Sequence, residues 1–336
     1  MKEKTIGEIV ELASAFYGSS VLFAGITCGL FDAVEKLGAE ATASALADAM
    51  SASERGVRLL ADASVALGLL QKNGAVYANT QSGKMALVGG APADLSKAIL
   101  YNRDVYPAWG RLADLVRTGE CVEAPQLHLG DDAERTRRFA LSMRSRAFAI
   151  GRGAVELMDL AGAEKLLDLA GGPGAYAELI ARKNPNLHVT TLDLPAISRV
   201  AAECVAEAGL QERIECVAGD YHTDDFGEGA YDAVTIFGAL HQESPEDIAS
   251  ILARAAKALK KGGRVFVLDM MTDATHANPP FSALFAVNMA LTAKNGWVFA
   301  DEELKEWMRA AGLKAQETLT LPPPMPHWMV SAVKEG

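Results

Sequence analysis

The sequence predicts an α/β fold with a mostly parallel sheet and helices on both faces, preceded by a mainly helical domain of winged-helix pattern. Three observations carry this. Beyond Lys165, short apolar runs alternate with helical segments, which is how βαβ units read in sequence. Before residue 80, two helical segments lead into a tight-turn signal at Asn73-Gly74. The length of 336 residues suggests about two domains at roughly 150 residues each.

The elements follow in order. Leu12 to Phe31 is a twenty-residue run without a charged side chain, and Ala274 to Ala293 is a second. Twenty residues matches a membrane span in length. The first run contains Ser14, Tyr17, Gly18, Ser19, Ser20 and Thr27, and the second His276, Asn278, Pro279, Pro280 and Asn288. Neither is continuously apolar, so both read as helices buried against other protein. Glu3, Glu8 and Glu11 argue against a signal peptide. Thr42 to Met50 and Ser53 to Leu70 have helical spacing, each with a capping hydroxyl at its start. Gly68-Leu69-Leu70 and Ala75-Val76-Tyr77 flank Asn73-Gly74 as the strands of a hairpin wing. Residues 134–160 read as one or two connecting helices. Their arginines Arg135, Arg137, Arg138, Arg144, Arg146 and Arg152 suit a solvated or ion-paired face, with an anion site as the other reading.

In the second half, strands are expected at Leu166–Ala170, Val189–Leu192, Ile214–Val217, Ala233–Phe237 and Val265–Leu268. Helices are expected at Ala175–Lys183, Ile197–Ala208 and Pro245–Leu259, the last with Ser244 as N-cap and Pro245 in its first turn. Leu313–Leu319 and Trp328–Val333, joined by the loop Pro322-Pro323-Pro324-Met325-Pro326, would complete the sheet.

Composition excludes several classes. Lys plus Arg number 32 and Asp plus Glu 43, a balance of −11, which gives no broad attraction for nucleic acid or anionic membrane. Residues 1–105 hold 9 basic and 11 acidic residues, and the candidate recognition helix offers only Arg55 and Arg58. A DNA reader carries a basic face, so an interaction module is the better reading of the wing. Cys28, Cys121, Cys204 and Cys216 are widely spaced without a CxxC, which suits a reducing cytoplasm and no disulfide framework. His222, His276 and His327 form no recognisable ligand set with a cysteine, so no metal is expected.

The strongest local motif is Asp168-Leu169-Ala170-Gly171-Gly172-Pro173-Gly174-Ala175-Tyr176, between the first strand and a helix. Glycines there let the backbone approach a ligand. Gly172, Gly174 and Ala177 match GxGxxA, and Asp193 lies where a ribose-binding acid would sit, so an NAD-linked oxidoreductase fits this loop. The strand ends favour another cofactor. Asp168, Asp193, Gly219-Asp220-Tyr221 and His241 all fall at one edge of the sheet. Carboxylates suit an amino group, ribose hydroxyls and an adenine amine, but repel a pyrophosphate.

With these pieces in place the sequence resembles the S-adenosylmethionine-dependent O-methyltransferases of the plant and bacterial small-molecule type, which include antibiotic-tailoring and bacteriochlorophyll-pathway members. The resemblance runs through Phe16-Tyr17-Gly18-Ser19, Gly29-Leu30-Phe31-Asp32-Ala33, the winged region, the glycine loop, Gly219-Asp220 and Leu240-His241. It implies a Rossmann-like methyltransferase domain with a mostly parallel seven-stranded sheet, behind a winged-helix dimerisation domain. The implied division is 1–105 for dimerisation, 106–160 for connecting helices that contribute to the substrate pocket, and 161–336 for the catalytic domain. It implies S-adenosyl-L-methionine as cofactor, held by Asp168, Gly171, Gly172, Gly174, Asp193, Leu194, Gly219, Asp220, Tyr221 and Phe237. His241 matches the general base, and Phe139, Met143, Phe281, Phe285, Met289 and Trp297 the acceptor pocket. The partners implied are a small-molecule acceptor and a second copy of the chain, with no nucleic acid or membrane.

The chemistry of the residues agrees. Methyl transfer from a sulfonium to a hydroxyl needs alignment and removal of one proton, work a histidine does near neutral pH. The sequence departs from the family pattern after the base, where Gln242 stands for an acid, and at Val298 before the last helix. On that reading nothing obvious orients His241, although Glu243 is nearby. C- or N-methylation on the same scaffold remains an alternative.

Overall fold

The computed structural model describes residues 3–123, 133–323 and 325–335. Contacts divide the chain into two compact units, Met1–Tyr106 and Pro107–Gly336. The first carries helices α1 (Ile6–Ser14), α2 (Phe16–Thr27), α3 (Leu30–Leu37), α4 (Ala43–Met50) and α5 (Glu54–Ala66). Strands β1 (Leu70–Asn73) and β2 (Val76–Asn79) and helix α6 (Gln81–Leu87) follow, and α7 (Ser96–Trp109) crosses the boundary.

Capping sets these starts. Thr5 and Glu8 form a reciprocal capping box at α1. The hydroxyls of Thr42 and Ser53 accept the N–H groups of Ala45 and Gly56 at α4 and α5. Helix α5 ends earlier than its spacing suggests, because Gly68 takes φ +72° and releases Leu70 into β1. The wing pairs Asn73 with Val76, so its turn is Gly74-Ala75, one residue beyond the Asn-Gly signal. Leu30, Phe31, Leu46, Leu70 and Tyr77 form the centre of this unit's core. Helix α1 buries no residue, and Ile6, Val10, Leu12 and Tyr17 are each more than half exposed. Ile6–Thr27 is long and apolar enough to cross a membrane by length and composition.

The second unit begins with α8 (Leu112–Thr118) and α9 (Ala133–Ala154), a single 22-residue helix. Then come β3 (Lys165–Leu169), α10 (Ala175–Lys183), β4 (His188–Asp193), α11 (Pro195–Glu207), β5 (Ile214–Ala218) and β6 (Tyr231–Phe237). The chain continues through α12 (Pro245–Ala258), β7 (Leu259–Asp269), α13 (Pro280–Thr292), α14 (Asp301–Ala310), β8 (Leu313–Ala315), β9 (Leu319–Thr320) and β10 (Trp328–Lys334). The sheet order is β5-β4-β3-β6-β7-β10-β8, a path of seven strands, with the two-residue β9 added on β10 as an eighth. The five strands β5, β4, β3, β6 and β7 are parallel and β10 runs against them. The expected strand Leu313–Leu319 is thus two short pieces, and the fifth parallel strand starts six residues before its apolar run, at Leu259.

Two-residue periodicity sorts the core. Leu167, Leu169, Val234, Ile236, Val265 and Val267 pack under α12 and α14. Leu166, Ala233, Phe237, Phe266 and Leu268 face the other way, against Ala177 and Ile180 of α10 and Ile150 and Ala154 of α9. Because β3 is flanked by β4 on one side and β6 on the other, chain direction across the sheet reverses at β3. Ligands bind outside the carboxyl ends of strands at such a point.

Candidate active site

The register places Asp168 between Thr191 of β4 and Thr235 of β6. Thr235 donates its hydroxyl to Asp168 Oδ1 at 2.6 Å, whereas buried Oδ2 has no partner. Burial pushes the Asp168 carboxyl up to about 7, against the pull of the Thr235 bond, and the Asp193 charge adds to the rise. A buried carboxylate oxygen is costly to leave unpaired, and a cation or an N–H group would satisfy it.

The loop beyond it is built for close approach. Ala170, Gly172 and Gly174 all take positive φ, at +53°, +57° and +75°. For Ala170 this is a strained conformation held by its surroundings. A Cβ on Gly171 would run into Thr191 Oγ1 and come within 2.7 Å of Asp168 Oδ2, so no side chain fits there. Gly172 donates its N–H to Asp193 Oδ2 at 2.8 Å, and Leu194 donates to Oδ1 at 2.7 Å. Burial raises the Asp193 carboxyl, and these two bonds work against that rise. Asp193 therefore joins the glycine loop to the end of β4.

Arg144 of α9 braces the loop from outside. It donates to the Pro173 carbonyl at 3.0 Å and to Glu178 Oε2 at 2.6 Å. The arginine run on this helix is otherwise ion-paired where contacts are described: Arg137 with Glu203 and Arg138 with Glu134. The side chain of Arg135 lies outside the described residues, as does Pro324 of the proline loop.

After β5, Gly219 donates to the Asp193 carbonyl at 3.0 Å, and Asp220 donates its N–H to Asp224 Oδ2 at 2.9 Å. Tyr221 donates its hydroxyl to Glu243 at 2.5 Å, and its ring stacks on His222. Phe237 closes β6 as a buried ring, edge-on to Tyr176.

His241 sits in a short 3-10 turn, Leu240–Gln242, and is 9% exposed. Its Nδ1 lies 2.6 Å from Oδ1 of Asp269, and its backbone N–H is 3.3 Å from Oδ2. Asp269 is the last residue of β7 and is 1% exposed. The expectation that nothing orients His241 is therefore corrected. The acid comes from a strand 28 positions on, not from Gln242 or the buried apolar Val298. The pairing of Phe237 with Leu268 brings the two strand ends level. The available signal was an acid ending a strand, the pattern already seen at Asp168 and Asp193. A carboxylate at Nδ1 selects the tautomer with its proton there and leaves Nε2 as the acceptor.

Of the expected pocket residues, Phe285 of α13 is beside the histidine, its ring edge-on at 5.2 Å. Met289 is buried one turn further along α13, whereas Phe281 is 55% exposed. Trp297 donates its backbone N–H to the His241 carbonyl at 3.0 Å and its indole N–H to the Glu243 carbonyl at 2.7 Å. Phe139 and Met143 lie half-buried on α9. Trp109 donates its indole N–H to Asn288 of α13 at 2.9 Å, a pairing the sequence did not suggest.

A strand-edge glycine loop, strand-end carboxylates and a histidine–carboxylate pair define a group-transfer enzyme of the Rossmann-like class. The O-methyltransferase domain matches residues 109–314, and the O-methyltransferase dimerisation domain matches residues 10–89. The chain belongs to the O-methyltransferase family and is an S-adenosylmethionine-dependent enzyme. The 3-hydroxy-5-methyl-1-naphthoate 3-O-methyltransferase of Streptomyces sahachiroi is 29% identical over 330 residues, covering 97% of this chain and 94% of that one. The N,N-dimethyltransferase OxyT of Streptomyces rimosus is 27% identical over 334 residues, covering 97% and 96%. Human N-acetylserotonin methyltransferase, solved in complex with S-adenosylmethionine, superposes with a TM-score of 0.88 at 24% identity, over 100% of this chain and 99% of that one.

Proposed function

We propose that this enzyme methylates a hydroxyl of a small aromatic or polycyclic metabolite, with His241 as general base. The observation that carries the reading is the 2.6 Å contact between His241 and Asp269 at the strand edge that also holds the glycine loop. Bound S-adenosylmethionine would supply an electrophilic methyl group on a sulfonium. The residues fit such a ligand: Asp168 Oδ2 is buried without a hydrogen-bond partner, and nothing lies within 4 Å of where a Cβ on Gly172 would stand. We assign Asp168, Gly171, Gly172 and Gly174 to its methionine end, Asp193 and Leu194 to the ribose, and Gly219, Asp220, Tyr221 and Phe237 to the adenine side.

His241 Nε2 takes the acceptor's hydroxyl proton as that oxygen attacks, and Asp269 offsets the charge gained by the ring. Phe285, Met289, Trp297, Phe139 and Met143 are assigned to the walls around a flat acceptor. The aromatic substrate named for the naphthoate relative supports this acceptor class, and OxyT's name keeps nitrogen in view. We further infer a homodimer formed through residues 1–105, connecting helices at 106–160 and a catalytic domain at 161–336. The match to a dimerisation domain and the exposed apolar side chains of α1 support the dimer. The widely spaced cysteines without a CxxC support a cytoplasmic enzyme, and the acidic balance supports one without nucleic-acid or anionic-membrane partners.

The test is transfer of labelled methyl from S-adenosylmethionine to matched naphthols, naphthylamines and indoles, with products located by mass spectrometry. O-methyl products that depend on His241 support the reading. Products only on nitrogen or carbon overturn the choice of acceptor atom.

A further inference from the structure

His222 stands between two carboxylates that belong to different loops. Its Nδ1 is 2.9 Å from Asp220 Oδ1, and its Nε2 is 2.7 Å from Glu243 Oε2. Its backbone N–H also donates to Asp220 Oδ1, at 2.8 Å. Asp220 belongs to the loop after β5, on the adenine side of the site. Glu243 lies two residues beyond His241, and its carbonyl accepts the indole N–H of Trp297. A neutral imidazole has one N–H, so it can satisfy only one of two flanking carboxylates. The imidazolium donates to both. The remaining groups facing this ring do not replace that charge. Tyr221 donates to the other Glu243 oxygen, Asp247 adds a third carboxylate nearby, and Arg254 is engaged by the carbonyls of Asp224 and Tyr221.

We propose that His222 is a positioning residue: as an imidazolium it ties the adenine-side loop to the segment that carries His241 and accepts the N–H groups of Trp297. Its role rests on the assignment of Asp220 to the cofactor site. Burial opposes the charge, but the bonds to Glu243 and Asp220 and their negative charges prevail and hold the imidazole pKa above its usual value. Above that pKa the ring drops one bond and leaves a carboxylate facing a lone pair. Cofactor affinity then falls as pH rises.

Calorimetric titration of S-adenosylhomocysteine into the full chain tests this between about pH 6 and about pH 9, spanning the usual histidine range. The native protein is compared with His222→Gln and His222→Lys. Relative to His222→Gln, which shares every other titrating group, the native chain should lose roughly fivefold in affinity across the range, the scale of one charge-assisted bond in a half-exposed site. His222→Gln should be weak at the lower pH and lack that component. His222→Lys keeps a cation and should restore affinity without the histidine step. Parallel curves for native and His222→Gln overturn the inference for His222 while leaving the cofactor site standing. Absence of binding by the native chain at every pH overturns the site assignment beneath it.

Discussion

His241 and Asp269 meet at 2.6 Å across the ends of two neighbouring parallel strands, though 28 residues separate them in sequence. The contact fixes the ring and its tautomer in one step. It also makes the pair a single functional unit, so its parts are not additive.

Replacing His241 with Ala should lower turnover by roughly 10²-fold or more, the usual contribution of a positioned base. Asp269→Asn should cost on the order of 10²-fold through the wrong tautomer. The double variant should be little worse than His241→Ala. Single-turnover methyl transfer at saturating cofactor measures all three, and calorimetry should find cofactor affinity nearly unchanged in His241→Ala.

Asp193→Ala should weaken S-adenosylhomocysteine binding by roughly tenfold or more, since it removes an acceptor and leaves the N–H groups of Gly172 and Leu194 unpaired. Titration calorimetry is the check. Equal affinity would mean that the ribose is held elsewhere.

Arg144→Met should destabilise the folded chain by about 2 kcal/mol, because a bond to Glu178 and one to the Pro173 carbonyl are lost in a mostly buried place. Glu178 retains Arg182 at 3.0 Å, which limits the loss. A thermal melt should fall by roughly 4–8 °C. Added S-adenosylhomocysteine should raise both melts and leave the deficit in place, since the ligand stabilises each folded chain by its own affinity.

The pH behaviour of Asp168 has a definite sign. Its folded pKa of about 7 lies above the usual 3.8. Between those values the folded state binds more protons than the unfolded one, so this group's contribution to stability falls as pH rises through that window. A cationic amino group at Oδ2 reverses the preference and favours the carboxylate. Binding of S-adenosylhomocysteine near pH 6 should therefore release protons, seen as a buffer-dependent heat in calorimetry. Asp168→Asn should abolish that dependence.

The sequence by itself carried the α/β alternation, the glycine loop and the acids at Asp168, Asp193 and Asp220, because those signals are local: apolar periodicity, turn residues and strand-end spacing. It also carried the family resemblance and His241. Tertiary structure decided which strand ends stand side by side. The β6–β7 register, not spacing along the chain, brought Asp269 to His241 where Gln242 and Val298 had offered nothing. Likewise, Arg144 looked like one member of a basic run until the packing of α9 on α10 set it against Pro173 and Glu178. His222, too, forms no recognisable ligand set with a cysteine in the sequence. Only the folding of two loops onto one another placed a carboxylate at each of its ring nitrogens. Local patterns fix where an element begins and which face it buries. Contacts between distant segments depend on register and crossing, which no short stretch of sequence encodes.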